Sequence, residues 1–258
     1  MKNSFLVLLM LAAMSVVAQK KKKTDAPPVQ TNQTQVQPAK STQAATTKDT
    51  VPANAINPLL QHYAMKYQLA VQWNDYDIAK DALYDLIVEN QGNDSTVFDL
   101  AGYYYQNRKY PSAVLVAQTL LKRNPKNAGA LEIAAIGYEN LGVYDRSLQS
   151  YESLYLLQNN PNVLYKMAAL QLQLKRYREA VASSDILLAA KDLDALKIGY
   201  PMPDNKTKDF SMKVAVLNLK GVAAMEQSDK ATAKTFFEQA LAIAPDFPPA
   251  KENLAKVK

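Results

Sequence analysis

Residues 94–127 read DSTVFDLAGYYYQNRKYPSAVLVAQTLLKRNPKN. Leu100, Ala101 and Tyr104 fall at helical spacing, and the polar turn Asn107-Arg108-Lys109 follows. Tyr110, Ala113, Leu120 and Leu121 resume the spacing before Asn124-Pro125. Residues three and four apart share one face of a helix, and proline, lacking an N–H, ends one. The stretch therefore predicts two helices joined by a short turn.

The pattern recurs. Tyr110, Tyr144 and Tyr177 are spaced 34 and 33 residues apart, as are Ala113, Ser147 and Ala180. Tyr76 and Ala79 carry the register back by another 34. A period near 34 is the length of one two-helix repeat. Where two helices cross closely only small side chains fit, so Ala101 is expected against Ala113, Ala135 against Ser147, and Gly221 beside Ala233. Tyrosine rings fill the wider gaps beside these crossings. Asn160-Pro161 reads as an N-cap and first-turn pair.

On these residues the sequence resembles the tetratricopeptide repeat family over most of the chain after Asn57, as an exported bacterial member. The expected fold is all-α: a tetratricopeptide-like α-solenoid of about five helix-turn-helix repeats plus a C-terminal capping helix, wound as a right-handed superhelix. Residues 56–258 form that domain, with repeats near 60–93, 94–127, 128–160, 161–190 and 214–247. The first repeat is degenerate, without a small residue at the crossing in its first helix. Pro248-Pro249 open the capping helix, 248–257, with Leu254 and Val257 inward and Lys251, Glu252 and Lys256 outward. Between Ala180 and Ala233 the register slips by 19 residues, which places an insertion at 191–208; its Pro201 and Pro203 forbid an ordinary helix and predict a loop.

Outward from the repeats, Met1–Ala18 has Lys2 followed by an apolar run from Phe5 to Val17. Thirteen residues are too few for a bilayer that takes roughly 20, so 1–18 is predicted as a signal peptide cut after Ala18, with an uncleaved anchor as the alternative. The expected location is the periplasm or cell envelope, with no transmembrane helix after processing. The chain has no cysteine, which excludes thiol acylation and disulfides. Residues 19–55 are rich in Gln, Thr, Pro, Ala and Lys and predict a disordered linker. Lys20–Lys23 are expected to give a weak contact with anionic lipid or wall polymer.

Charge separates the two regions. Residues 56–258 hold 23 Lys+Arg against 22 Asp+Glu, whereas residues 1–55 hold 7 against 2. The basic balance belongs to the leader and linker, which removes support for a nucleic-acid partner.

No constellation for chemistry is visible. His62 is the sole histidine, and a zinc site needs three or four converging ligands. Asp192 and Asp194 have no nucleophile or base near them in sequence, and there is no phosphate-binding glycine loop. The expectation is no enzyme, no metal and no cofactor.

The family resemblance implies binding on a concave face lined by the first helix of each repeat. Carried onto this chain, that face holds Phe98, Gly102 and Tyr105; Glu132, Ile136 and Glu139; Tyr165, Ala169 and Leu172; and Asn218, Val222 and Met225. The family's carboxylate clamp needs cations or amides where this chain has Phe98, Glu132 and Tyr165, so a carboxylate-tail receptor is not expected. The candidate groove is Phe98, Tyr105, Glu132, Ile136, Glu139, Tyr165, Leu172 and Asn218. It would take a segment of a partner protein, with Tyr105 and Tyr165 as anchors and the two glutamates, two turns apart on one face, selecting a basic residue. Carbohydrate binding and self-association as a structural subunit are the alternatives.

Overall fold

The computed structural model describes residues 57–202 and 205–257. The predicted leader, 1–18, the linker, 19–55, and Lys20–Lys23 lie outside the described residues. Eleven helices and one hairpin follow in order: α1 Pro58–Gln72, α2 Tyr76–Glu89, α3 Asp94–Gln106, α4 Tyr110–Arg123, α5 Ala128–Asn140, α6 Tyr144–Gln158, α7 Pro161–Gln173, α8 Tyr177–Leu188, β1 Lys197–Pro201, β2 Thr207–Ser211, α9 Met212–Glu226, α10 Lys230–Ile243 and α11 Pro248–Val257. Each helix packs on its successor, so the chain is an all-α solenoid of five hairpins and a closing helix. Among the described residues no helix is long and apolar enough to cross a membrane.

Side chains set the helix starts. Asn93, Asn127 and Asn160 accept a hydrogen bond from a first-turn N–H of α3, α5 and α7, and Ser211 does so for α9. These satisfy donors that a helix leaves free at its start. The expected crossings are present. Ala101, Ala113, Ala135, Ser147, Ala168 and Ala180 are all fully buried, and Ser147 Oγ donates to the Ala135 carbonyl at 2.8 Å. In the last repeat Ala233 is also buried, but the group against Gly221 is the Phe237 ring, one turn further along α10: a Cβ added at Gly221 would sit 2.4 Å from Cε1 of that ring. Phe237 itself is fully buried, so glycine makes the room for it.

The insertion contributes a paired hairpin where a loop was expected. Strands β1 and β2 pair antiparallel, with Ile198 opposite Phe210 and Pro201 opposite Thr207. Met202 N–H donates to the Lys206 carbonyl and Met212 N–H to the Leu196 carbonyl, which makes Pro201–Thr207 a non-hydrogen-bonded pair by alternation. Proline is tolerated there because its absent N–H has no ladder partner to lose. The hairpin also runs to Ser211, past the expected end at 208. It is fixed to the C-terminal turn: Phe247 meets Phe210 and Tyr200 edge-on, at 5.0 and 5.6 Å between centroids, and Lys208 pairs with Asp246.

Candidate functional site

The first helices of the repeats are not evenly spaced. Backbones of α3 and α5 approach closely, as do those of α7 and α9, yet no contact within 8 Å between Cα atoms joins α5 to α7. Side chains bridge the wider spacing between α5 and α7, with Leu131 and Ala135 of α5 in one core cluster with Val163, Leu164 and Met167 of α7.

Polar side chains also span that spacing. Glu139, near the end of α5, takes a salt bridge from Lys166 of α7 at 3.4 Å and accepts a hydrogen bond from the Tyr151 hydroxyl of α6 at 3.2 Å. Side-chain exposure is 16% for Lys166 and 12% for Glu139, so the pair is largely withdrawn from water. Burial, followed by the field of Glu139, drives the Tyr151 phenol far above the ordinary tyrosine range. Tyr105, half-buried on α3, is raised by burial first and then by Glu132, Tyr110 and Glu139. Tyr105, Glu132, Glu139, Tyr151 and Lys166 therefore share one electrostatic neighbourhood across four helices. Glu132 differs from Glu139: it is exposed, and no ion pair or hydrogen bond engages its carboxylate among the described residues.

The remaining candidates are placed as follows. Phe98 is 36% exposed, with its ring against Gly129, where an added Cβ would meet it at 2.5 Å. Ile136 is half-buried beside the main core. Tyr165 lies under the hairpin, and burial, with Tyr200 second, pushes its phenol up to about 12. Leu172 is buried in the cluster that joins α7 to α9. Asn218 accepts a hydrogen bond from Asn253 of the closing helix at 3.1 Å. The structure thus brings Tyr105, Glu132 and Glu139 into one neighbourhood and engages Leu172 and Asn218 elsewhere.

Tyr151 and Lys166 are the residues that sequence reasoning missed. Lys166 is 27 positions after Glu139 and one position off the concave stripe, so a charge-complementary pair at that spacing was the available signal. Elsewhere, Asp194 pairs with Lys213 at 3.3 Å, and His62 stacks edge-on against Tyr63 at 5.4 Å. Among the described residues no three His, Cys, Asp or Glu side chains converge in a way that could hold a metal.

No protein-family model matches the chain, and no curated protein matches it in sequence. Its structure, however, superposes on known solenoids. YrrB, a TPR protein, aligns with a TM-score of 0.59 at 13% identity over 75% of this chain and 90% of that one. A tetratricopeptide repeat protein from Parabacteroides merdae aligns at 0.58 and 17% identity, over 78% and 73%. MamA aligns at 0.55 and 14% identity, over 77% and 94%. The fold is that of the tetratricopeptide repeat. At these identities the likeness is one of fold.

Proposed function

We propose that this tetratricopeptide solenoid is a non-enzymatic scaffold of the cell envelope that binds a segment of a partner protein along its concave face. The observation that carries the reading is Glu132, an exposed carboxylate with no ion pair among the described residues, in the same electrostatic neighbourhood as the Glu139–Lys166–Tyr151 cluster and Tyr105. Glu139 already has an internal cation, so Glu132 is the carboxylate that receives a basic side chain from the partner. Phe98 and Tyr105 supply aromatic surface on the neighbouring helix, the residue type that dominates binding energy at interfaces. YrrB is described as having an unusual peptide-binding site, which supports peptide capture as a use of this fold. The apolar run from Phe5 to Val17 supports export.

Site-specific photocrosslinking in cells tests the reading. A photoreactive residue at Tyr105 is expected to trap one discrete partner, and Glu132→Lys in the same chain is expected to abolish that adduct. A probe at Leu156, on the outer side of α6 and 85% exposed, serves as the comparison. Equal adducts at both positions, or a Tyr105 adduct indifferent to Glu132→Lys, would defeat the groove assignment.

A further inference from the structure

A recess lies on the other side of the same repeats. It has a volume of about 340 Å³ and is lined by α4 (Gln118, Lys122), by Tyr138 of α5 and by α6 (Arg146, Gln149, Ser150), with Leu121 and Ala134 as its apolar part. Ala134 and Tyr138 project from α5 on the side opposite Glu132, Ile136 and Glu139, as helical spacing requires. The recess and the Glu132–Glu139 face therefore lie on opposite sides of α5.

Its lining is a set of donors. Lys122 and Arg146 bring two positive charges and no carboxylate lines the recess. Neither charged group makes an ion pair among the described residues, in contrast to Arg123 beside Lys122, which pairs with Asp94 at 2.9 Å. Gln118 donates its amide to the Tyr138 oxygen. That leaves the Tyr138 proton free to be donated onward, and Gln149 and Ser150 add an amide and a hydroxyl.

The repeat itself provides the comparison that separates architecture from function. At the position of Lys122, α2, α6 and α10 carry Val88, Leu156 and Ala242, and at the position of Arg146, α2, α4, α8 and α10 carry Ile78, Ser112, Glu179 and Thr232. At the position of Gln118 stands Tyr84, whose hydroxyl bonds Tyr104 at 2.7 Å, the counterpart of Tyr138. The same two-helix crossing is thus built elsewhere with aliphatic, hydroxyl or acidic residues. Packing does not demand the two cations, and they converge at one junction only among these.

We infer that the recess between α4, α5 and α6 is a binding site for a carboxylate group, which Lys122 and Arg146 hold while the Tyr138 hydroxyl and Gln149 amide orient it. Guanidinium and ammonium bonds to a carboxylate are the stronger class of hydrogen bond, and the volume falls at the lower end for small-molecule sites. The carboxylate can come from a free organic acid or from an acidic side chain of a protein segment.

The test is an NMR titration of the full chain, followed at the side-chain N–H signals of Gln118, Gln149 and Arg146. Two probes are used: sodium glutarate, and an acetylated, amidated peptide carrying two glutamates. Saturable shifts confined to the recess are expected, weakened at least tenfold by Lys122→Gln with Arg146→Gln. Lys191→Gln with Lys251→Gln removes the same net charge elsewhere and is expected to leave binding intact. Glutarate binding as tightly as the peptide assigns the site to small acids; a tenfold advantage for the peptide assigns it to an acidic segment. Shifts that do not saturate with either probe, or that weaken equally in both double variants, overturn the site. All four substituted side chains are exposed, so the variants retain the fold.

Discussion

One backbone position recurs in every repeat. Asn74, Arg108, Gly142, Lys175 and Ser228 each stand two residues before a second helix, and each has positive φ, between 55° and 72°. Only one of the five is glycine, although an L-residue there costs roughly 1–2 kcal/mol. A Cβ at Gly142 would meet nothing within 4 Å, so its substitution isolates the backbone term. Gly142→Ala is expected to lower stability by about 1 kcal/mol in urea denaturation. Gly102 is the opposite case, a helical glycine with open space around it, and Gly102→Ala is expected to raise stability by about 0.5–1 kcal/mol. A neutral Gly142→Ala would mean the turn relaxes rather than holds. The turns were legible in the sequence from the polar run Asn107-Arg108-Lys109, but their left-handed residue was not, because four of the five carry a side chain that does not advertise it. Gly221 teaches the same lesson: spacing identified the crossing, whereas the Phe237 ring that fills it lies one turn beyond the expected Ala233.

At the scale of elements, periodicity found the eleven helices, because those depend on local spacing alone, whereas the face holding Tyr105, Glu132 and Glu139 was named only through the family resemblance. Lys166 sits off that stripe, so the Glu139–Lys166 pair required the packed structure. The hairpin shows the same limit. Its prolines excluded a helix correctly, but pairing of Lys197–Pro201 with Thr207–Ser211 is a non-local event supported by Phe247, far along the chain. Covering Tyr165 is a measurable consequence of this arrangement. Its folded pKa, about 12, lies above the ordinary tyrosine value of 10.0. As pH rises past 10 the unfolded chain loses this proton first, so the contribution is complete below 10 and is lost as pH approaches 12. The loss is on the order of 2 kcal/mol. Denaturant unfolding followed across that range should show stability falling less steeply in Tyr165→Phe than in the wild-type chain. Identical slopes would mean that the phenol is already open to water when folded.

For the whole molecule, stability should be graded along the solenoid. In a repeat array each unit is held by its own core and by its neighbours, so local differences are not averaged out. The first repeat has little of either. Its buried apolar residues are Ala70, Ala79, Ala82 and Leu83, three of them alanines, and Met65, Leu69 and the 70%-exposed Trp73 stand largely uncovered among the described residues. By contrast α9 buries ten residues, among them Met212, Val214, Val216, Leu217 and Leu219, between α8, α10 and the closing helix. Burying a side chain of that size contributes about 1.5–3 kcal/mol, several times what an alanine can. Native-state hydrogen exchange reads this gradient directly, because amides report the free energy of the smallest opening that exposes them. Amides of α1 and α2 are expected to exchange through openings well below the global unfolding energy, while those of α7, α9 and α10 exchange only near it. The boundary should fall at the junction of α2 and α3, where Tyr84 and Tyr104 meet and Tyr103 donates to Asp77. Tyr84→Phe removes the first of these bonds and should lower protection in α1 and α2 without changing it in α9. Uniform protection from α1 to α10 would show instead that the array unfolds as a single unit, with its degenerate first repeat held as firmly as the rest.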